Sequence, residues 1–111
     1  MPLVTIEDLS PRDPAVVDTA LAAVAGAVAR ALGRSPDDVW ARFRATDRAR
    51  DGGRHPIVTV ATGPLPADLT ERVLRAAAAA VAETLGSSTD EVWARLDVLA
   101  PGTVLADGVL R

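Results

Sequence analysis

Residues 39–43 read Val-Trp-Ala-Arg-Phe, and residues 92–96 read Val-Trp-Ala-Arg-Leu, 53 positions later. A Leu-Gly pair at residues 32–33 recurs at residues 85–86 with the same offset. A third block near the start of the chain, Pro-Leu-Val-Thr-Ile, recurs 54 positions later as Pro-Ile-Val-Thr-Val. Three blocks that recur in the same order indicate a duplicated unit of roughly 53 residues.

The chain is therefore predicted to be one domain built of two repeats. We place the repeats at residues 1–53 and 54–111 and the join near residues 51–54. A total of 111 residues is the size of one domain, because domains commonly hold about 100–150 residues. With 49% apolar and 24% charged residues, the composition is that of a globular protein.

Each repeat has the pattern of a strand, a helix and a second strand. Short β-branched runs at residues 3–6 and 57–61 predict the first strands, and residues 39–46 and 92–99 predict the second. Between the strands, apolar residues recur at steps of three and four, which predicts an amphipathic helix in each repeat.

The ends of the helices carry recognisable signals. Asp13 followed by Pro14 predicts the start of the first helix, because Asp caps a helix and Pro suits its first position. Gly33 and Gly86 predict the two C-terminal ends, where a left-handed residue commonly follows the last turn.

Two β-α-β units predict an α+β fold, with a four-stranded mixed sheet and both helices on one face. The other face of the sheet would be bare in so short a chain. We therefore expect an oligomer in which sheet faces pack together. Residues 102–111 predict one or two short strands around a Gly turn, which could extend the sheet of a neighbour.

Composition excludes several classes of function. The chain has no Cys and a single His, so thiolate zinc sites, Cys nucleophiles and multi-histidine metal sites within one chain are not expected. The net charge of -3 and the 3% aromatic content argue against nucleic-acid binding. All 12 basic residues are Arg, so any bound anion would be held without lysine. The Ala- and Arg-rich composition indicates a GC-rich, bacterial genome.

No targeting or membrane segment is expected. The first 13 residues carry Glu7, Asp8 and Asp13 against one arginine, which is the reverse of a basic signal-peptide start. The longest uninterrupted apolar runs, at residues 20–29 and 76–82, are shorter than a bilayer span. We therefore expect a cytoplasmic protein with no membrane partner.

The duplicated unit that begins Met-Pro-apolar-Val resembles the tautomerase superfamily over nearly the whole chain. That family includes 4-oxalocrotonate tautomerase (4-OT), with one unit per chain, and two-unit relatives such as macrophage migration inhibitory factor. The resemblance implies a homotrimer of two-unit chains in a β-α-β barrel-like assembly, whose packing would cover the sheets.

The resemblance also implies that Pro2 is the catalytic residue, exposed as an N-terminal amine once Met1 is removed. A secondary amine in a desolvated site beside arginines has a lowered pKa, so it could take a proton from the carbon next to a carbonyl and return it elsewhere. Pro56 could not act in this way, because its nitrogen is in a peptide bond. The implied reaction is a cofactor-independent, metal-free keto–enol tautomerisation of a small 2-oxo acid or enol.

The resemblance further implies substrate-binding residues. Arg12 lies ten residues after Pro2, where 4-OT has an arginine that holds a substrate carboxylate. On the second strands this chain has an aromatic residue followed by an arginine two positions later, a pattern closer to the two-unit relatives. The predicted substrate-binding set is therefore Arg12, Arg42, Arg95, Trp40 and Trp93.

Each candidate also has a structural interpretation. Pro2 could simply begin a strand, as Pro56 does, and Arg12 could be a solvated charge before a helix. Arg42 and Arg95 could form ion pairs at an interface, and the two tryptophans could be core or interface anchors.

Two alternatives to a tautomerase stay open. One is a non-catalytic trimer that keeps Met1 and binds a ligand or partner with the same pocket. The other is a hydratase or dehalogenase, in which Asp97 is the nearest candidate for the carboxylate that activates water. His55 is interpreted as a linker residue rather than a base or a metal ligand.

Overall fold

The computed structural model describes residues 2–9, 12–46 and 55–111. The two repeats and the following hairpin contain six strands and two helices: β1 (Leu3–Asp8), α1 (Pro14–Leu32), β2 (Trp40–Ala45), β3 (Ile57–Thr62), α2 (Ala67–Leu85), β4 (Trp93–Val98), β5 (Leu105–Ala106) and β6 (Val109–Leu110). The predicted join at residues 51–54 lies outside the described residues.

The main sheet has the strand order β2-β1-β3-β4. Pairing is parallel within each repeat, between β1 and β2 and between β3 and β4. The two repeats meet through the antiparallel pair β1 and β3, with Thr5 opposite Thr59 near the centre. The α+β class and the mixed four-stranded sheet are confirmed, and a pseudo-twofold axis relates the repeats.

Helix α1 begins and ends where its capping residues predict. Asp13 accepts a hydrogen bond from the backbone N–H of Ala15 at 2.8 Å, and Pro14 occupies the first turn. Gly33 adopts φ 67° after the last turn, and Gly86 does the same for α2 with φ 72°. These left-handed residues allow each chain segment to turn back toward the sheet.

Both helices pack on one face of the sheet. Alternate residues of β1 and β3 are fully buried against them, including Val4, Ile6, Val58 and Val60. This period-two burial indicates strands with one face in the core. The remaining core comes from buried aliphatic residues on the helices: Ala20, Val24, Val28, Ala29, Val73, Ala77, Val81, Ala82 and Leu85.

The opposite side of the sheet, which we name the open face, has no covering element among the described residues. It is formed by alternate residues of the four strands: Leu3, Thr5, Glu7, Trp40, Arg42, Arg44, Ile57, Thr59, Ala61, Trp93, Arg95 and Asp97. Trp40 is 50% exposed and Trp93 is 47% exposed. These tryptophans are therefore not core anchors within one chain.

The apolar composition of helix α1 revises the expectation that the chain has no segment able to span a membrane. Its 19 residues have a mean hydropathy of 1.6, so by length and composition it could cross a membrane. The uninterrupted apolar run within this helix is shorter than a bilayer span because Asp18 and Arg30 are charged. The helix packs on the sheet and on α2, with Val24 and Val28 fully buried.

Strands β5 and β6 form the predicted short hairpin around a Gly turn. Asp107 and Gly108 both have positive φ, 54° and 74°, which gives the twist of a two-residue hairpin turn. The N–H of Arg111 donates to the carbonyl of Val104 at 2.7 Å and closes the hairpin. Within the described residues this hairpin forms a separate two-stranded sheet.

Candidate functional site

Pro2 and Pro56 occupy equivalent positions in the two repeats. Each is fully buried immediately before the first strand of its repeat. The carbonyl of Pro2 accepts a hydrogen bond from the N–H of Trp40, and that of Pro56 accepts one from Trp93, both at 3.0 Å. Both prolines therefore have the same backbone role, which is to hold the start of the second strand.

The two prolines lie at opposite ends of the sheet because β1 and β3 are antiparallel. Leu3 pairs with Ala61, so Pro2 lies beside Thr62 at one end, which we name the Pro2 end. Glu7 pairs with Ile57, so Asp8 lies beside Pro56 at the other end, the Pro56 end. At about 3.3 Å per residue, the length of β1 separates these ends by roughly 20 Å.

Arg12 lies at the Pro56 end. Its Nε and Nη2 atoms donate to one carboxylate oxygen of Asp8, at 2.7 and 2.6 Å, and its Nη1 donates to the carbonyl of Leu85 at 3.0 Å. Asp8 is buried, and Leu85 is the last residue of α2. We name these three residues the Arg12 staple, because they join the loop after β1 to the helix of the second repeat.

The structure therefore does not bring Pro2 and Arg12 together within one chain. A spacing of ten residues carries the chain along the whole of β1, so Arg12 is placed near the proline that has no free nitrogen. The expected pairing of a basic proline with a carboxylate-binding arginine is not formed by these two residues in one chain.

The Pro2 end carries a pocket of about 280 Å³. Its walls come from the residue after the α1 cap, from the chain after β3 and from the segment after β4: Arg34, Gly63, Pro64, Leu99, Ala100, Pro101, Val104 and Arg111. Gly63 directly follows Thr62, the neighbour of Pro2 across the strands. The pocket thus lies at the same end of the sheet as Pro2, which is not one of its lining residues, and it contains two arginines that the sequence did not single out.

A comparison of the two repeats in the sequence does distinguish Arg34. At the offset of 53 residues its counterpart is Ser87, so the arginine distinguishes the first repeat from the second. Arg111 has no such signal, because it follows the second repeat and its place in the pocket depends on how the hairpin folds back.

The two ends of the sheet differ in charge. Asp8 and Thr62 are repeat counterparts and both are buried, but only Asp8 can hold an arginine as an ion pair. The chain after Thr62 continues with Gly-Pro-Leu-Pro at residues 63–66 and has no arginine there. Both ends carry a pocket: the one at the Pro56 end is about 410 Å³ and is lined by Arg12, which is held by Asp8, and by Asp18, whereas the one at the Pro2 end is lined by Arg34 and Arg111.

The remaining predicted binding residues lie on the open face. Arg42 pairs with Thr5 and Arg95 with Thr59, so these residues form one row across the sheet. Both arginines are exposed and have no ion-pair partner among the described residues.

Pro2 shares the helix-facing side of β1 with its buried residues, so one chain does not bring it together with Arg42 or Arg95. Trp40 lies toward the Pro2 end and Trp93 toward the Pro56 end. Asp97 lies in the row of Trp40, opposite Ala61, and so also belongs to the Pro2 end.

His55 precedes Pro56 and lies at the end of the sheet away from Pro2. Among residues 2–9, 12–46 and 55–111, no group of three His, Cys, Asp or Glu side chains is placed to hold a metal ion.

No protein-family model matches the sequence, and no curated protein matches it. Solved structures do match. A fused 4-OT solved as an asymmetric trimer superposes with a TM-score of 0.88 at 9% identity, over 98% of this chain and 95% of that one. The chain has the tautomerase-superfamily fold.

Two further structures with the tautomerase fold extend the comparison. Macrophage migration inhibitory factor from Toxoplasma gondii has a TM-score of 0.80 at 21% identity, over 99% of this chain and all of that one. A malonate semialdehyde decarboxylase has a TM-score of 0.74 at 20% identity, over 99% and 93% of the two chains. The resemblance seen in the sequence is confirmed at the level of the fold, including the fused, two-unit chain.

Proposed function

We propose that this chain is a cofactor-independent tautomerase or isomerase of small 2-oxo acids, in which Pro2 is the general base and acid after Met1 is removed. The observation that carries the proposal is the difference between the two proline ends. Pro2, the proline that can have a free nitrogen, lies at the end of the sheet whose pocket is lined by two arginine side chains and no acidic side chain, whereas the pocket at the Pro56 end is lined by Asp18 and by Arg12, which is already paired with Asp8.

In the proposed reaction the neutral Pro2 amine takes a proton from the carbon next to the 2-oxo group. The electron pair of that C–H bond forms the carbon–carbon double bond of an enolate, and the carbonyl oxygen takes up the negative charge. Protonation of this oxygen gives the enol, and the reverse sequence regenerates the ketone. A desolvated amine favours its neutral form, which is the form that can take this proton.

We assign the substrate carboxylate to Arg34 rather than to Arg12. Arg12 already bonds to the Asp8 carboxylate and to the Leu85 carbonyl, whereas Arg34 lines the pocket at the Pro2 end. A guanidinium and a carboxylate make a charge-assisted pair that can both bind and orient the substrate.

We further propose a homotrimer, in which neighbouring chains cover the open face. The fused 4-OT above is a trimer, and the exposed row of Arg42 and Arg95 needs such a neighbour to join any pocket. In that assembly the tryptophans are interface anchors, and one of the open-face arginines stabilises the enolate oxygen. A cytoplasmic location and a small-molecule substrate belong to the same proposal.

The test begins with the intact mass of the purified protein, which reports whether Met1 has been removed. Processed protein should interconvert the enol and keto forms of phenylpyruvate, followed by ultraviolet absorbance. A matched variant with one leucine inserted between Met1 and Pro2 keeps the fold but blocks the amine, and it should be inactive. Equal rates from both proteins would show that Pro2 is not the base.

A hydratase is the second candidate, and Asp97 favours it. Its carboxylate lies at the Pro2 end of the open face, where a neighbouring chain could bring it to a substrate. The similar malonate semialdehyde decarboxylase was studied for decarboxylase and hydratase activities. Loss of hydration of an unsaturated acid in Asp97→Asn, with tautomerisation retained, would support this candidate. Processed protein without either activity would favour the non-catalytic binding trimer.

A further inference from the structure

The two helices form a groove on the side of the molecule away from the open face. It has a volume of about 560 Å³ and lies between α1 and α2, which pack against each other. Five of its lining residues are alanines, and the three that carry charge are Arg30, Arg72 and Glu83. Small side chains on both helices therefore leave a recess with two cations and one anion at its walls. We name this recess the helix groove.

The two arginines lie at the same end of the helix groove. Because β1 and β3 are antiparallel and each helix follows its strand, α1 and α2 run in opposite directions. The last turn of α1, with Arg30, is therefore beside the first two turns of α2, with Arg72. Glu83 comes 11 positions after Arg72, which is roughly 16 Å along the helix axis. Its carboxylate thus belongs to the other end of the groove.

The repeats differ at the positions of these arginines. At the offset of 53 residues, Arg30 corresponds to Glu83 and Arg72 corresponds to Thr19. The pseudo-twofold axis therefore relates a cationic end of the groove to an end that has neither arginine. The pair of arginines is specific to one end of the helix layer and does not result from the duplication.

Gly26 makes room for one of the two guanidinium groups. It is a buried residue in the middle of α1, where glycine weakens a helix relative to alanine. A Cβ at this position would lie 3.3 Å from Nη1 of Arg30, which is closer than ordinary van der Waals contact. The Arg30 side chain is thus folded back over the α1 backbone, where an alanine would push it outward. The repeat counterpart of Gly26 is Ala79, one turn before Glu83.

Neither arginine is held in a strong ion pair. Arg30 has no ion-pair partner among residues 2–9, 12–46 and 55–111. Arg72 pairs with Asp68 at 3.8 Å, and both of these side chains are more than half exposed, so the pair contributes little. Guanidinium groups match the geometry of phosphate oxygens, and two of them from facing helices can donate to one oxyanion.

We propose that the arginine end of the helix groove binds the phosphate group of a small phosphate ester. Arg30 and Arg72 donate to the oxyanion, and the alanines contact the organic part. The role that we assign to Gly26 is to let the Arg30 guanidinium lie at the floor of the groove, at a cost in helix stability. The helix groove shares no lining residue with the pocket at the Pro2 end, so this inference does not depend on the proposed reaction.

Titrations followed by NMR of protein labelled with ¹³C at the alanine methyl groups test the site. Inorganic phosphate, compared with chloride at matched ionic strength, should shift the methyl signals of Ala27, Ala31 and Ala76. Phenyl phosphate should bind more tightly, because its ring can lie on the alanines. Arg30→Gln and Arg72→Gln should each weaken binding about 5- to 10-fold, the effect of one lost charge-assisted contact. Arg75→Gln, on α2 but outside the groove, is the matched control.

Gly26→Ala separates the placement of Arg30 from the charge alone, because it keeps both arginines. It should raise Tm, since alanine favours a helix interior, while phosphate binding weakens. Unchanged binding in Gly26→Ala would contradict the role of Gly26. If Arg30→Gln and Arg72→Gln bind phosphate as the wild-type protein does, or if the shifted signals lie outside the groove, the site is wrong. Equal affinity for phosphate and phenyl phosphate would overturn the ester and identify free phosphate as the ligand.

Discussion

At the scale of single residues, the two prolines make the same backbone contact but differ in what their nitrogen can do. Pro2→Ala should lower kcat about 10²- to 10⁴-fold, the usual worth of general acid–base catalysis, because it removes the ring amine. The measurement is the phenylpyruvate assay on processed protein, with circular dichroism to show that the fold is retained.

Pro56→Ala is the matched control for this change, because Pro56 is equally buried and its carbonyl bonds to Trp93 as that of Pro2 does to Trp40. It should leave the rate unchanged and act only on stability. A loss of turnover in Pro56→Ala with full activity in Pro2→Ala would reverse the assignment and direct the search to the Pro56 end.

Arg12→Ala should destabilise the fold. The change leaves the buried Asp8 carboxylate without its cation and the end of α2 without a donor, so we expect a loss of about 1–3 kcal/mol in the free energy of unfolding. Urea denaturation measures it. Arg72→Ala is the control, because the exposed pair of Arg72 with Asp68 at 3.8 Å contributes at most about 0.5 kcal/mol. Unchanged stability in Arg12→Ala would show that the staple is only a surface contact.

The residues of the site were only partly predictable from the sequence. Pro2 and its repeat counterpart could be identified by position, but which end of the sheet Arg12 reaches depends on the antiparallel pairing of β1 with β3. That pairing is tertiary, and no local pattern reports it. Arg34 and Arg111 were missed because their meeting depends on the same topology and on the fold of the hairpin.

At the scale of secondary structure, local signals were sufficient for most boundaries. The caps at Asp13 and Gly33 bound α1 as predicted, because capping is a property of a few neighbouring residues. Strand β1 was predicted to stop at Ile6 but continues to Asp8. A carboxylate ordinarily ends a buried strand, and here its ion pair with Arg12 allows it to stay inside.

The left-handed cap of α1 gives a prediction at this scale. Gly33→Ala should cost about 1–2 kcal/mol, because φ is 67° there and a Cβ strains that conformation, even though no atom lies within 4 Å of where it would be. Gly63→Ala is the matched control, since its site is equally open and its φ is outside the left-handed region. Thermal unfolding should show a lower Tm only for the first variant.

At the scale of the whole molecule, the open face is the largest feature that one chain leaves unexplained. It carries two half-exposed tryptophans and the row of Arg42, Thr5, Thr59 and Arg95, whose arginines have no ion-pair partner in the part of the chain that the structure describes. The duplicated architecture could be predicted from the repeat, and a neighbour over the bare face was expected, but the residues that such a neighbour would place there could not be predicted, because those contacts would involve another chain.

We predict that light scattering at micromolar concentration will give three times the 11.5 kDa chain mass. Trp93→Ala should shift the mass toward the monomer, because large aromatic residues contribute strongly to interfaces. Glu83→Ala, on the exposed face of α2, should not. A wild-type monomer at this concentration would contradict the homotrimer.

The antiparallel joining of the repeats has a consequence for how such a chain can change over time. A polypeptide has only one amino terminus. When two equal repeats are fused, only one of them therefore has a residue at that terminus, so the repeats differ chemically even while their side chains are identical. Under the proposed function, the half whose proline is an ordinary peptide residue does not have to admit a substrate. An ion pair that stabilises that half, such as the one between Asp8 and Arg12, can then be acquired without obstructing the half to which the proposal assigns the amine.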